Sequence, residues 1–180
     1  MTRPLGLVDL IYVILQESVS IMAEDQLTGQ MVGLLTNCIF VRGNVPPPKT
    51  YGDYAWSLPS IYAYLCVLSD ILWHPNDVFK QYQDFQRIFY VHSLSVLPSY
   101  RRQNIGQTLV KVGLQLATEQ NCQCANAMAT SPNSRRIFEN LGFRTLRMID
   151  ANNFVDNYKN GRCPIFPGVD TSVHMKIFPM

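Results

Sequence analysis

The sequence has almost no net charge, because 15 lysines and arginines are balanced by 13 aspartates and glutamates, which leaves a formal charge of +2. A chain this close to neutral produces no strong field for a nucleic acid or an anionic membrane. We therefore expect no nucleic-acid partner and no membrane partner. A function that needs positive charge must use a local cluster, and Arg101 with Arg102 is the candidate.

Cysteines are few, and no pair has the two-residue spacing of a zinc site. They number five, an odd count: Cys38, Cys66, Cys122, Cys124 and Cys163. This pattern argues against a disulfide framework and against a structural metal. We expect a reduced, cytoplasmic protein that binds no metal.

Long apolar runs, internal repeats and low-complexity tails are also missing. The apolar opening, residues 1–15, is too short to span a bilayer, is interrupted by Asp9 and is followed by no small-residue cleavage site. We interpret it as a packed helix rather than a targeting signal. With 180 residues, 47% of them hydrophobic, the chain suits one domain over residues 1–180 with one core.

The first part of the chain alternates like a β-hairpin, predicted over residues 18–42. Residues 18–23 and 31–42 have the strand pattern, and residues 24–29 supply the turn. Three consecutive prolines within residues 43–54 predict a loop, since proline donates no backbone hydrogen bond.

Two inserted helices are predicted over residues 59–84. Apolar residues recur every three or four positions from 59 to 73, and Pro75 should end this helix. A second, short helix is expected around residues 78–84. Tyrosines and a tryptophan here could wall an aromatic pocket or simply pack the helix pair: Tyr51, Tyr54, Trp56, Tyr62 and Tyr64.

The second half of the chain predicts an α/β domain, with a core over residues 88–143 and further strands over 143–178. The predicted order is a strand at 87–97, a helix at 105–119, a strand at 124–130, a helix at 134–140, and strands at 143–150 and 173–178.

The turn between the strand at 87–97 and the helix at 105–119 is rich in hydrogen-bond donors. Arg101 and Arg102 can neutralise phosphate charge. Asn104 tolerates a positive φ, and Gly106 lets a ligand approach the backbone. The first amides of a helix lack internal partners, so this turn suits a diphosphate. The alternative is an ordinary strand–turn–helix connection that contains arginines and a glycine.

Residues 101–106 resemble the acetyl-CoA signature of the GNAT family of N-acetyltransferases, (Arg/Gln)-x-x-Gly-x-(Gly/Ala), with Asn104 in place of the first glycine. Residues 94–100 resemble that family's splayed strand, and residues 131–143 its second signature helix. The resemblance implies a mixed, mostly antiparallel central sheet flanked by helices, and acetyl-CoA as co-substrate. It implies that the pantetheine and pyrophosphate contact Leu94, Ser95, Val96, Arg101, Arg102, Gln103, Asn104, Ile105, Gly106, Gln107 and Thr108.

Nearly the whole chain resembles the insect arylalkylamine (dopamine N-acetyltransferase-like) branch of that family. By this resemblance, the family's first strand and first helix would lie before Met1, so the domain would lack them. The implied reaction acetylates the primary amine of a small arylalkylamine of the dopamine, serotonin or tyramine type. The glutamate proposed as the branch's base is replaced by Arg3. Two alternatives are an acetyl-CoA-binding paralogue without turnover and a peptide acetyltransferase, which the inserted helices disfavour.

Three side chains are candidates for catalysis by this resemblance. Thr130 and Ser134 occupy hydroxyl positions that assist in the branch; the alternative is that they cap the helix near Pro132. His92 matches a histidine proposed to remove the amine proton in vertebrate relatives. The alternative is a packed core histidine, since strict alternation places His92 on one face with Tyr90 and Leu94.

Overall fold

The computed structural model describes residues 18–45, 75–150, 155–156, 163–164 and 172–180. Its strands and helices are, in chain order, β1 (Ile21–Asp25), β2 (Gln30–Val41), α1 (Pro75–Gln81), β3 (Arg87–Val96), α2 (Ile105–Glu119), β4 (Cys124–Ala129), α3 (Pro132–Asn140), β5 (Arg144–Asp150), β6 (Val155–Asp156), β7 (Cys163–Pro164) and β8 (Ser172–Pro179). One 3₁₀ turn, Pro98–Tyr100, lies between β3 and α2.

Six strands form one sheet in the order β1-β2-β3-β4-β8-β5, and β6 pairs with β7 separately. In the six-stranded sheet β3 and β4 run parallel, and every other neighbouring pair is antiparallel. The expected mixed, mostly antiparallel sheet with flanking helices is therefore confirmed. The segment before residue 18, which includes Arg3, lies outside the described residues.

Helices cover both faces of this sheet. On one face α2 and α3 bury Leu109 and Phe138 against Phe89 of β3. Helix α2 packs closely because it carries Gly113, where a Cβ would lie 2.9 Å from Cδ2 of Leu35. On the other face α1 packs with Tyr90 and other residues of β3 and β8. The site described below therefore rests on a core that is filled on both sides.

Proline is the first residue of two described helices. Pro75 begins α1, which ends at Gln81 rather than at residue 84, and the end of the helix expected before it is not among the described residues. Pro132 begins α3 two residues before the expected start. The reason is the same in both, since proline at the first helical position loses no hydrogen bond. The predicted helix at 59–73 and the aromatic residues 51–64 lie outside the described residues.

Candidate active site

Strands β3 and β4 separate part-way along their length. Their parallel pairing runs from Ile88 opposite Cys124 to Val91 opposite Ala127, whereas β3 continues to Val96. Among the described strands, none pairs with the β4-facing edge of β3 beyond Val91. The backbone of residues 94–96 therefore offers hydrogen-bonding groups along an open edge, where an extended ligand can add as another strand does.

Strand β3 contains one extra residue, His92. Thr36 pairs with Ser93 and Asn37 with Val91, so His92 has no opposite residue on β2. The hydroxyls of Thr36 and Ser93 are 2.6 Å apart beside this bulge. A bulge adds one residue to the alternation of a strand, so the side chains beyond it change faces.

The bulge corrects the prediction that His92, Tyr90 and Leu94 share one face. The ring of Tyr90 packs in the core on the α1 side and meets the ring of His92 edge to face, with centroids 6.3 Å apart. Leu94 instead packs on the α2 side. Strict alternation was wrong here because it cannot anticipate an inserted residue.

His92 is solvent-exposed, so it is not the packed core histidine that the sequence left open. Neighbouring protein atoms nevertheless crowd the ring and weaken its hydration. This partial desolvation lowers the pKa of His92 from the ordinary value of 6.5. The imidazole is therefore neutral at neutral pH and can accept a proton.

The turn before α2 has a backbone suited to an anion. Arg102 and Asn104 both adopt positive φ angles, of 64° and 60°. The prediction that Asn104 tolerates this conformation is confirmed. The first helical bond of α2 runs from the amide of Thr108 to the carbonyl of Asn104, at 2.9 Å, and the side chain of Asn104 does not cap the helix. The amides of residues 105–107 thus have no helical partner and are free for a ligand.

A cleft of about 720 Å³ lies between this turn and α3, a volume typical of ligand sites. Most of the predicted cofactor-binding residues line it: Leu94, Ser95, Val96, Arg101, Arg102, Asn104, Ile105, Gly106 and Gln107. Gln103 and Thr108 lie in the same segment but do not line the cleft, and neither do His92 and Thr130.

The cleft is positively charged. Arg101, Arg102 and Arg136 line it, and no aspartate or glutamate among the described residues does. None of these three arginines forms an ion pair with another described residue. Uncompensated positive charge together with free helix amides fits the diphosphate of coenzyme A.

Gly106 lies at the base of the cleft, where α2, α3 and β3 meet. A Cβ at this position would lie 3.2 Å from Cδ1 of Ile137 and 3.6 Å from Cδ2 of Leu94. A larger residue would therefore push apart the walls of the cleft or fill its base.

The two candidate hydroxyl residues, Thr130 and Ser134, differ in their relation to the start of α3 and to the cleft. Ser131, rather than Thr130, caps α3, and its Oγ accepts a hydrogen bond from the amide of Ser134 at 3.2 Å. The Oγ of Ser134 accepts from the Ser131 amide at 3.2 Å and donates to the Ser131 carbonyl at 2.9 Å. Ser134 therefore completes a capping box and also lines the cleft. A catalytic role for Ser134 or Thr130 stays a prediction.

The sequence reasoning missed the residues that α3 contributes to the cleft. Asn133, Arg136 and Asn140 line it together with Ser134. Their spacing of three and four residues places them on one face of a helix, and this polar stripe was the signal that could have revealed them.

Residues 65–143 match the model of the acetyltransferase (GNAT) family. This part of the chain is therefore similar to a GNAT acetyltransferase domain. Proteins of this family transfer acetyl groups from acetyl-CoA. Among the described residues, no helix is long and apolar enough to cross a membrane. No curated protein sequence matches the chain.

Solved structures of several acetyltransferases are similar to this chain. Arylalkylamine N-acetyltransferase 2 of Aedes aegypti is 25% identical with a TM-score of 0.79, over 96% of this chain and 79% of that one. The polyamine N-acetyltransferase of Drosophila melanogaster is 17% identical with a TM-score of 0.76, over 99% and 85%. A NatC complex bound to Gag peptide and CoA is 13% identical with a TM-score of 0.58, over 100% and 83%.

Proposed function

We propose that this domain transfers the acetyl group of acetyl-CoA to the primary amine of a small arylalkylamine of the dopamine, serotonin or tyramine type. One observation carries the proposal: the open edge of β3 at residues 94–96 leads directly into the arginine-rich turn and free amides at the start of α2. This arrangement suits an extended arm followed by a diphosphate. Likeness to the mosquito arylalkylamine enzyme, at 25% identity, supports the amine class.

The reaction requires a neutral amine nitrogen to attack the thioester carbonyl carbon. The new C–N bond forms as the carbonyl oxygen becomes an oxyanion, and the C–S bond then breaks. The amine loses one proton, and the departing coenzyme A thiolate gains one. The protein must accept the first proton and stabilise the oxyanion with hydrogen-bond donors.

His92 is the proposed acceptor of the amine proton. It lies on β3 two residues before the open edge, is accessible, and has a lowered pKa that keeps it neutral at neutral pH. Ser134 is the proposed hydroxyl donor at the other wall of the cleft, but it must release the Ser131 carbonyl before it can serve. The proposed catalytic role of Thr130 rests on the family resemblance alone.

The competing proposal is an acetyl-CoA-binding protein without turnover. It rests on Arg3, which replaces the family's glutamate and lies outside the described residues. The accessible, neutral His92 favours the enzyme, because it supplies a base that does not depend on that glutamate. The cytoplasmic location and the expected lack of a metal stay predictions from the sequence.

The test is calorimetric titration of the protein with acetyl-CoA, followed by measurement of thiol release with added amines. Tryptamine, dopamine and tyramine should release thiol faster than agmatine, spermidine or a peptide amino terminus. Arg101→Glu should weaken acetyl-CoA binding, because it places a negative charge at the turn. Binding without amine-dependent thiol release would support the non-catalytic alternative, and a folded protein that binds no acetyl-CoA would refute both.

The role of His92 is tested with His92→Ala and His92→Gln. If His92 takes the proton, both variants should lower kcat/KM by about 10²- to 10⁴-fold. The fall of kcat/KM at acid pH, where His92 becomes protonated in the wild type, should also disappear. A variant that retains the wild-type pH profile would exclude His92 as the base.

A further inference from the structure

We propose that Arg136 binds the ribose 3′-phosphate of acetyl-CoA, so that the domain selects acetyl-CoA over its 3′-dephospho form. This inference rests on the proposed function, since it assigns a subsite for the same co-substrate. The two walls of the cleft, the turn before α2 and helix α3, differ in the groups that they offer to an anion.

The wall formed by the turn already holds what a diphosphate needs. Arg101 and Arg102 supply two positive charges, and the first amides of α2 supply hydrogen bonds at the positive end of the helix dipole. A diphosphate diester carries about two negative charges, and these two arginines match them. Arg136 lines the same cleft from α3 and adds a third positive charge.

Arg136 has no structural task among the described residues. Its neighbour Arg135 bonds the carbonyl and the hydroxyl of Ser172, at 3.2 and 2.9 Å, and so attaches α3 to β8. The acidic residue one turn along, Glu139, is engaged with Lys176 at 2.6 Å. Arg136 instead is exposed and lines the cleft. The two adjacent arginines therefore differ: Arg135 holds the helix, and Arg136 faces the ligand site.

The neighbours of Arg136 on the cleft side suit a phosphorylated ribose. Asn133 and Asn140 line the cleft three residues before and four residues after Arg136, and their amides both donate and accept hydrogen bonds. A phosphate monoester carries about −1.5 to −2 charge at neutral pH. Since no described residue places a carboxylate in the cleft lining, this second anionic group of acetyl-CoA has Arg136 as its matching cation.

The experiment compares the dissociation constants of acetyl-CoA and 3′-dephospho-acetyl-CoA by calorimetry. The wild type should bind acetyl-CoA about tenfold more tightly, as a charge-assisted hydrogen bond allows. Arg136→Gln should reduce this ratio to about one while leaving the affinity for the dephospho form unchanged. Arg136→Lys, which keeps the charge, should retain part of the ratio.

Two control variants separate this subsite from a general effect of charge. Arg102→Gln should weaken both ligands by the same factor and leave their ratio unchanged, because Arg102 faces the diphosphate. Arg144→Gln, on the exposed surface of β5, should change neither affinity. Thermal unfolding of each variant shows whether the fold is retained.

Two results would overturn the inference while leaving the proposed function intact. One is a wild-type protein that binds both ligands equally well. The other is an Arg136→Gln variant that weakens both ligands by the same factor. A folded wild type that binds neither ligand would instead refute the proposed function itself.

Discussion

The phenol of Tyr100 donates a hydrogen bond of 2.8 Å to Oδ2 of Asp25, which ties the turn before α2 to the β1–β2 hairpin. The other carboxylate oxygen of Asp25 accepts from the amides of Leu27 and Thr28, at 2.9 and 3.2 Å. These bonds hold the pKa of Asp25 below its ordinary value of 3.8, with the Tyr100 bond as the largest cause. The position of the turn thus depends on a residue far from it in sequence.

Tyr100→Phe should raise the pKa of Asp25 towards 3.8 and weaken acetyl-CoA binding, because the turn loses this anchor. Since the folded-state pKa is lowered, the Asp25 contribution to stability is complete above the unfolded-state pKa. It is lost as the pH falls through the folded-state value. Carboxylate titration by NMR measures the shift, and Tyr82→Phe, on the α1 side, is the control. An unchanged Asp25 titration in Tyr100→Phe would contradict this account.

Gly106→Ala should weaken acetyl-CoA binding, because its Cβ meets Cδ1 of Ile137 at 3.2 Å at the base of the cleft. Ile137→Val removes that Cδ1 atom, so the double variant tests the cause. If crowding of the cleft walls is responsible, the double variant should regain affinity, as measured by calorimetry. If affinity stays low, the added methyl group itself obstructs the ligand, and the packing explanation is wrong.

Ser131→Ala and Ser134→Ala should each lower the free energy of unfolding by about 1 kcal/mol, since each removes part of the capping box. Chemical denaturation measures this loss. If Ser134 also donates a proton during the reaction, Ser134→Ala should reduce kcat well beyond Ser131→Ala. Equal losses of kcat in the two variants would assign Ser134 to helix capping alone.

His174 should make the protein less stable in mild acid. Burial lowers its pKa below 6.5, and the positive charges of Arg135 and then Lys176 act in the same direction. Its Nε2 is 2.8 Å from the Ser172 hydroxyl, while its buried Nδ1 has no partner. Because the folded-state pKa is lowered, the unfolded chain binds more protons, so stability falls as pH decreases from about 6.5 towards the folded-state value.

Replacement by an apolar side chain tests this pH dependence. His174→Met removes the titrating group, so the melting temperature of the variant should fall less between pH 7.5 and pH 5 than that of the wild type. His92 titrates in the same direction but is present in both proteins, so its contribution cancels in the comparison. If the melting temperatures of the two proteins fall equally over this pH range, His174 is not responsible for the pH dependence.

The sequence predicted those parts of the fold that local chemistry determines. Helix α2 was expected over residues 105–119 and has these bounds, because its apolar spacing is regular and the turn before it is distinctive. The bulge at His92 could not be predicted, since it depends on pairing with Thr36 and Asn37, more than fifty residues earlier. The α3 wall of the cleft was missed because polar residues on a helix usually face solvent, and only the tertiary structure shows that Arg136 lines the cleft.

The single inserted residue in β3, His92, changes which side chains of the strand face α1 and which face α2. Before His92 the even-numbered side chains face α1, and after it they face α2, so the accessible imidazole and the apolar base of the acetyl-CoA cleft lie on opposite faces of the same strand. Deletion of His92 would remove the bulge and leave Ser93 opposite Thr36 and Val91 opposite Asn37, so Leu94 would stay on the α2 side. Such a change would remove the accessible imidazole and leave Leu94 and Val96 lining the cleft, so the proposed base and the cleft can be altered separately.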